Sequence, residues 1–92
     1  MNDDSYEFFE TTAKAAGFDE VLVREWASGQ VVGTHTHPFD VQAHVVRGEV
    51  WLRCGDEVKH ITAGGGFELA REVPHDERYG EQGATFWIAR KH

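Results

Sequence analysis

The stretch GQVVGTHTHPFDVQAHVVRG, residues 29–48, decides the reading of the fold. Residues 30–37 and 41–47 read as strands. Pro38-Phe39-Asp40 supplies a turn between them, and Gly48 marks a further turn. Side chains two apart on a strand share a face, so His35 and His37 place two imidazoles side by side on one wall. Two exposed histidines on an edge strand would read the same way, so the pair alone does not make a metal site. A third histidine, His75, lies in another β-like segment. It follows Gly64-Gly65-Gly66, a run suited to sharp bends and close backbone approach. A barrel can bring these distant segments together.

Working outward, further strands are expected at 20–26, 49–54, 57–61, 67–69, 73–79 and 84–90. Hairpin turns are expected at Cys54-Gly55-Asp56-Glu57 and Gly80-Glu81-Gln82-Gly83. Many short strands at this spacing predict an antiparallel all-β sandwich or barrel. One helix precedes them, over 5–16. Tyr6, Phe9, Ala13 and Ala16 recur at helical spacing, Asp3, Asp4 or Ser5 can cap the start, and Gly17 can end it. A helix this short is not stable alone and must dock as a lid or edge cover.

With 92 residues, the chain reads as a single domain spanning 1–92. Its 40% hydrophobic content permits only a thin core, so a metal or a partner subunit would add stability. Cys54 is the only cysteine, which excludes an internal disulfide and fits a reducing, cytoplasmic compartment. The start, Met1-Asn2-Asp3-Asp4, lacks the basic and apolar regions of a signal peptide, and no apolar run is long enough for a membrane helix. A net charge of −7 argues against nucleic-acid and anionic-membrane partners, leaving a small cationic or neutral ligand, or none.

The spacing Gly29-(five residues)-His35-Thr36-His37-(three residues)-Val41-(six residues)-Gly48 resembles the first motif of the cupins, G(x)5HxH(x)3–4E(x)6G. Gly64, Ala70, Glu72, His75 and Tyr79 follow the second motif more loosely, with only Gly64 and His75 keeping the expected residue. The resemblance covers residues 20–90, and its short intermotif stretch is similar to that of compact bacterial single-domain cupins. It implies a double-stranded β-helix, or jelly-roll, barrel in which His35, His37 and His75 hold a divalent transition metal: iron, manganese, nickel or zinc. The glutamate of the first motif is replaced by Val41. Glu77 shares the His75 face by strand alternation, Asp40 sits in the turn after the HxH pair, and Gln42 is adjacent to the missing position. Each is a candidate to complete the metal shell. Three neutral imidazoles with open positions suit borderline metals.

Val41, Ala43 and Tyr79 are expected to line the pocket. His44 has the opposite parity and should be packed against another surface, His60 should be solvated, and His92 should fray. Phe86 and Trp87 must face opposite ways, and an outer aromatic suggests burial against a second copy in a homodimer. Two functional classes follow. One is an enzyme, a dioxygenase or isomerase, with Glu77 as metal ligand, water orienter or general base. The other is a module that binds or senses a small molecule without catalysis, with or without a metal.

Overall fold

A computed structural model describes residues 5–92. The elements are α1 (Tyr6–Ala15), β1 (Glu20–Trp26), β2 (Val31–His35), β3 (Asp40–Cys54), β4 (Glu57–Thr62), β5 (Gly66–Leu69) and β6 (His75–Lys91). Ser5 caps α1, its Oγ accepting from the Phe8 amide at 3.1 Å. The alternative caps Asp3 and Asp4 lie outside the described residues.

All strand pairings are antiparallel, and β3 and β6 run side by side through the whole molecule. Near one end β1 pairs with the Ala84–Arg90 part of β6, and β5 pairs with Val41–His44 of β3. Near the other end β2 pairs with β6 around His75–Arg78, and β4 pairs with Glu49–Cys54 of β3. The result is two four-stranded halves that share their two central strands, a double-stranded β-helix of cupin type.

The expected turns at Gly48 and at Gly80–Gly83 are therefore corrected: both are bends within continuous strands. The partner of β3 jumps from Ala84 opposite Gly48 to Tyr79 opposite Val50, so residues 80–83 bulge out of the ladder. Here β6 changes neighbours, with Gly29 N–H donating to the Gly80 carbonyl at 2.8 Å and Tyr79 N–H to the Gln30 carbonyl at 2.9 Å. The strands approach so closely that a Cβ on Gly48 (φ 81°) would overlap the Gly83 carbonyl oxygen. The bends also flip side-chain parity. Val41, Ala43 and Val45 point inward before the β3 bend, and Val50 and Leu52 after it. In β6 the inward set changes from His75, Glu77 and Tyr79 to Ala84, Phe86 and Ile88. The Cys54–Glu57 hairpin forms as expected, with Gly55 at φ 61° in its two-residue loop.

Phe86 is buried in the core, and Trp87 points to the outer face, paired in register with His44. The cover on that face is α1: Tyr6 and Phe9 approach Trp87 with ring centroids at 5.7 and 6.0 Å, and Phe9 also meets His44. The helix thus covers a sheet face of its own chain, which removes the uncovered aromatic as a ground for a homodimer. Cys54 is free and packs against the core. His60 is exposed but partnered, lying flat on Trp51 with a 2.7 Å hydrogen bond to Glu49. His92 does not fray: its amide donates to the Asp19 carboxylate at 3.3 Å, and its ring nitrogen lies 3.1 Å from Glu20. Among the described residues, no helix is long and apolar enough to cross a membrane.

Candidate metal centre

The expected strand over 30–37 ends at His35, so His37 sits just beyond β2. A register shift between Val32 and His35 reverses parity and aims His35 at the interior, directly across from His75, the first residue of β6. His35 Nδ1 lies 2.7 Å from the Gly33 carbonyl, and His75 Nδ1 lies 2.9 Å from the Val73 carbonyl. A carbonyl only accepts, so in both neutral rings Nδ1 carries the proton and Nε2 presents its lone pair. His37 stacks flat on Phe39, with ring centroids 4.9 Å apart. The Glu72 amide donates to the His37 carbonyl at 2.8 Å, tying the loop before His75 to the tail of the HxH segment. Glu72 takes φ 62° to do so, a left-handed conformation that costs a non-glycine residue about 1 kcal/mol.

The three rings converge. Centroid separations are 4.8 Å for His35–His37, 4.3 Å for His35–His75 and 4.9 Å for His37–His75, and one nitrogen from each lies within 4.8 Å of the others. Burial first, then the neighbouring His75, His35 and Arg90, holds His37 below the usual imidazole pKa. The neutral ligating form is therefore favoured. Glu77 is only 7% exposed, and its Oε2 stands 3.6 Å from Nε2 of both His35 and His75. The Tyr79 hydroxyl donates to the other carboxylate oxygen. Burial, then the Glu77 hydrogen bond and charge, pushes the Tyr79 pKa far up, so the phenol stays protonated. Three imidazoles, two with fixed tautomers, beside a buried carboxylate are a donor set that fits a borderline divalent metal.

The other candidates are placed elsewhere. Asp40 is on the outer face with Gln42, where it accepts from the Arg71 backbone amide at 2.8 Å and pairs with the guanidinium. Those Arg71 hydrogen bonds hold the Asp40 pKa low. Gln42 lies in the groove between the sheet and α1, beside Phe9 and His44. Alternation from the inward Val41 sends both neighbours away from the histidines. Val41 does line the cavity next to the histidines. Ala43 and Tyr79 do not. Ala43 is overtopped by its larger cross-strand neighbours Phe67 and Ile88, and Tyr79 sits behind Glu77 with Trp26 stacked on it at 4.8 Å.

The cavity measures about 310 Å³ and includes residues not anticipated from sequence, chiefly Arg24, Trp26, Phe39 and Arg90. Alternation would have found three of them: Arg24 and Trp26 share parity with Leu22, and Arg90 with Phe86 and Ile88. Arg24 and Arg90 put two guanidinium groups on the lining of this cavity in a chain whose net charge is −7.

Residues 17–89 match the family model described as the AraC-like ligand binding domain. The chain belongs to this family. Its fold recurs in a structure of unknown function from Rhizobium leguminosarum, with TM-score 0.73, 20% identity, and coverage of 77% of this chain and 67% of that one. An uncharacterised conserved protein with a double-stranded β-helix domain from Klebsiella pneumoniae aligns with TM-score 0.68 and 23% identity, over 82% and 68% of the two chains. An oxalate decarboxylase from Bacillus subtilis aligns with TM-score 0.69 and 18% identity, over 77% of this chain but only 20% of the enzyme. At these identities the likeness is one of fold alone. No curated protein matches the chain in sequence.

Proton competition gives a first expected result. Metal binding requires three neutral imidazoles, so retention should fall as the pH drops through the imidazole range near about 6.5. His37, held low by burial, resists protonation as the pH falls. Dialysis across pH 5–8 measures this, and full retention at pH 4 would rule out a shell of three imidazoles.

Proposed function

We propose that this AraC-like domain is a metal-binding cupin that takes a small molecule at a three-histidine centre with open coordination positions. One observation carries the reading: His35, His37 and His75 bring nitrogens within 4.8 Å of one another in a cavity wall, with two Nδ1 atoms tied to backbone carbonyls. Iron, manganese, nickel or zinc would be held there, and such an ion supplies Lewis acidity to an oxygen of the bound molecule. The chain's own residues do the rest. Gly33 and Val73 orient the imidazoles, Phe39 holds His37, and the apolar wall excludes water from one side. Glu77, steadied by Tyr79, presents a carboxylate that can take or return a proton near the centre. In an enzyme this suits dioxygenase or isomerase chemistry. The free thiol of Cys54 suits a reducing, cytoplasmic setting.

A second reading, a sensing or binding module without catalysis, is favoured by the ligand-binding family match over residues 17–89. Metal analysis of protein purified without added nickel tests the main reading. About one ion per chain is expected, and failure to take up any of the four metals on reconstitution overturns it.

Glu77→Gln keeps the shape and removes the charge. Metal affinity should fall by about 10–100-fold, the usual effect of losing a group that orients or supplements ligands. Competition against a chromophoric chelator measures it. Unchanged affinity would show that Glu77 neither ligates nor orients. In an active protein, turnover lost with metal retained would identify a proton-transfer role.

A further inference from the structure

The same cavity carries a charge pattern opposite to that of the whole chain. The protein has a net charge of −7, yet two arginines are among the residues lining the cavity that holds the histidines, Arg90 half-buried and Arg24 exposed. Arg90 is partly answered by Glu20 at 3.4 Å, although its Nε is buried without a partner. The Arg24 guanidinium has no ion pair or hydrogen bond among the described residues; on the outer faces Arg47, Arg53 and Arg71 each have a carboxylate, while Arg78 is likewise unpaired and lies over Trp51. The Arg24 guanidinium lies over the Trp26 ring, 4.3 Å from the centroid, and Trp26 in turn stacks on Tyr79. Stacking of this kind holds a guanidinium in place, so little freedom is lost when it binds an anion.

The one carboxylate in the cavity, Glu77, is engaged by Tyr79 and faces His35 and His75. With Glu20 set against Arg90, Glu77 is still the only cavity carboxylate left for the Arg24 guanidinium and a divalent ion together. The remaining wall is apolar, with Val32, Phe39, Phe67, Phe86 and Ile88, and Gln30 is its one neutral amide. A polyhydroxylated ligand would find few partners there. A volume of about 310 Å³ is at the small end for ligand sites.

We propose that the ligand of this cavity is a small carboxylate with an apolar body, held by Arg24 at its anionic end and by the aromatic wall along its length. This rests on the reading of the three-histidine cavity as a ligand site. It goes further by naming the chemical class and the residue that selects it. Arg90, which also lines the cavity, adds positive potential.

The test uses pairs that differ only in charge: propionate and propionamide, hexanoate and hexanamide, phenylacetate and phenylacetamide. Each is titrated by calorimetry into zinc-loaded and zinc-free protein, with zinc content measured separately. At least one acid should bind about tenfold or more tighter than its amide, the scale of a charge-assisted hydrogen bond. Arg24→Gln should bring that ratio close to one with zinc content unchanged. Arg24→Lys, which keeps the charge, should restore part of it. Equal binding within all three pairs, or binding of none, overturns the inference while leaving the metal centre standing. A preference that survives Arg24→Gln but needs zinc also overturns it, because the ion alone would then be selecting the acid. A preference lost in Arg24→Gln in a protein that takes up none of iron, manganese, nickel or zinc supports the inference and overturns the metal reading instead.

Discussion

His75→Ala is expected to lower metal affinity by more than about 100-fold, beyond the 10–100-fold typical of losing a group that merely orients a ligand. His75 is 2% exposed and stands in register with His35, so its loss removes one of the three converging imidazoles. Removing a buried ring also risks the fold, and His35→Ala is the companion variant because that side chain is 31% exposed. Both should lose metal in equilibrium dialysis while keeping a β-rich circular dichroism spectrum. Asp40→Asn and Gln42→Ala provide the contrast. Both residues face away from the histidines, and both variants should retain metal at the wild-type level. Full metal uptake by His35→Ala and His75→Ala alike would place the metal elsewhere.

The second large effect is on stability. Gly48→Ala is expected to cost about 3 kcal/mol or more, because a Cβ there meets backbone and not a movable side chain. It would overlap the Gly83 carbonyl oxygen and lie 2.8 Å from Ala84 Cα, at a φ of 81° that already disfavours alanine. The two central strands would have to separate where they bend. For a domain of this size, such a loss lowers Tm by roughly 12–24 °C. Gly33→Ala is the control: its φ is ordinary and nothing lies within 4 Å of its added Cβ. It should change Tm little. Similar shifts for the two variants in a thermal melt would mean that the bend does not depend on glycine.

That bend also explains what the sequence concealed. A glycine with positive φ serves a hairpin turn and a bulge equally well, so Gly48 and Gly80–Gly83 read as chain reversals. Only the continuous pairing of β3 with β6, a long-range fact, distinguishes the two. Within each short run the alternation was still legible. It placed Val41, Ala43 and Val45 inward, His44 outward, Glu77 on the His75 face, and Phe86 opposite Trp87. The HTH pair and His75 were legible because strand geometry and the cupin motif spacing agree. Arg24 and Arg90 were missed for a different reason. Their parity was inward, but a charged residue on an amphipathic strand is ordinarily taken as solvated, and only the cavity makes its direction matter. The position of Asp40 was set by Arg71, 31 residues away, a pairing that no local pattern announces.

The anchoring of His92 has a practical side. With its amide on Asp19 and its ring 5.1 Å from that of Phe39, which itself lies flat on His37, the last residue is secured near the rim of the cavity. Whatever is fused after His92 starts from that rim. A polyhistidine purification tag at this end would add a competing set of imidazoles within reach of the opening, and metal counts on such a protein would overstate the centre. A tag placed ahead of Met1, or one cleaved before dialysis, keeps the measurement on His35, His37 and His75.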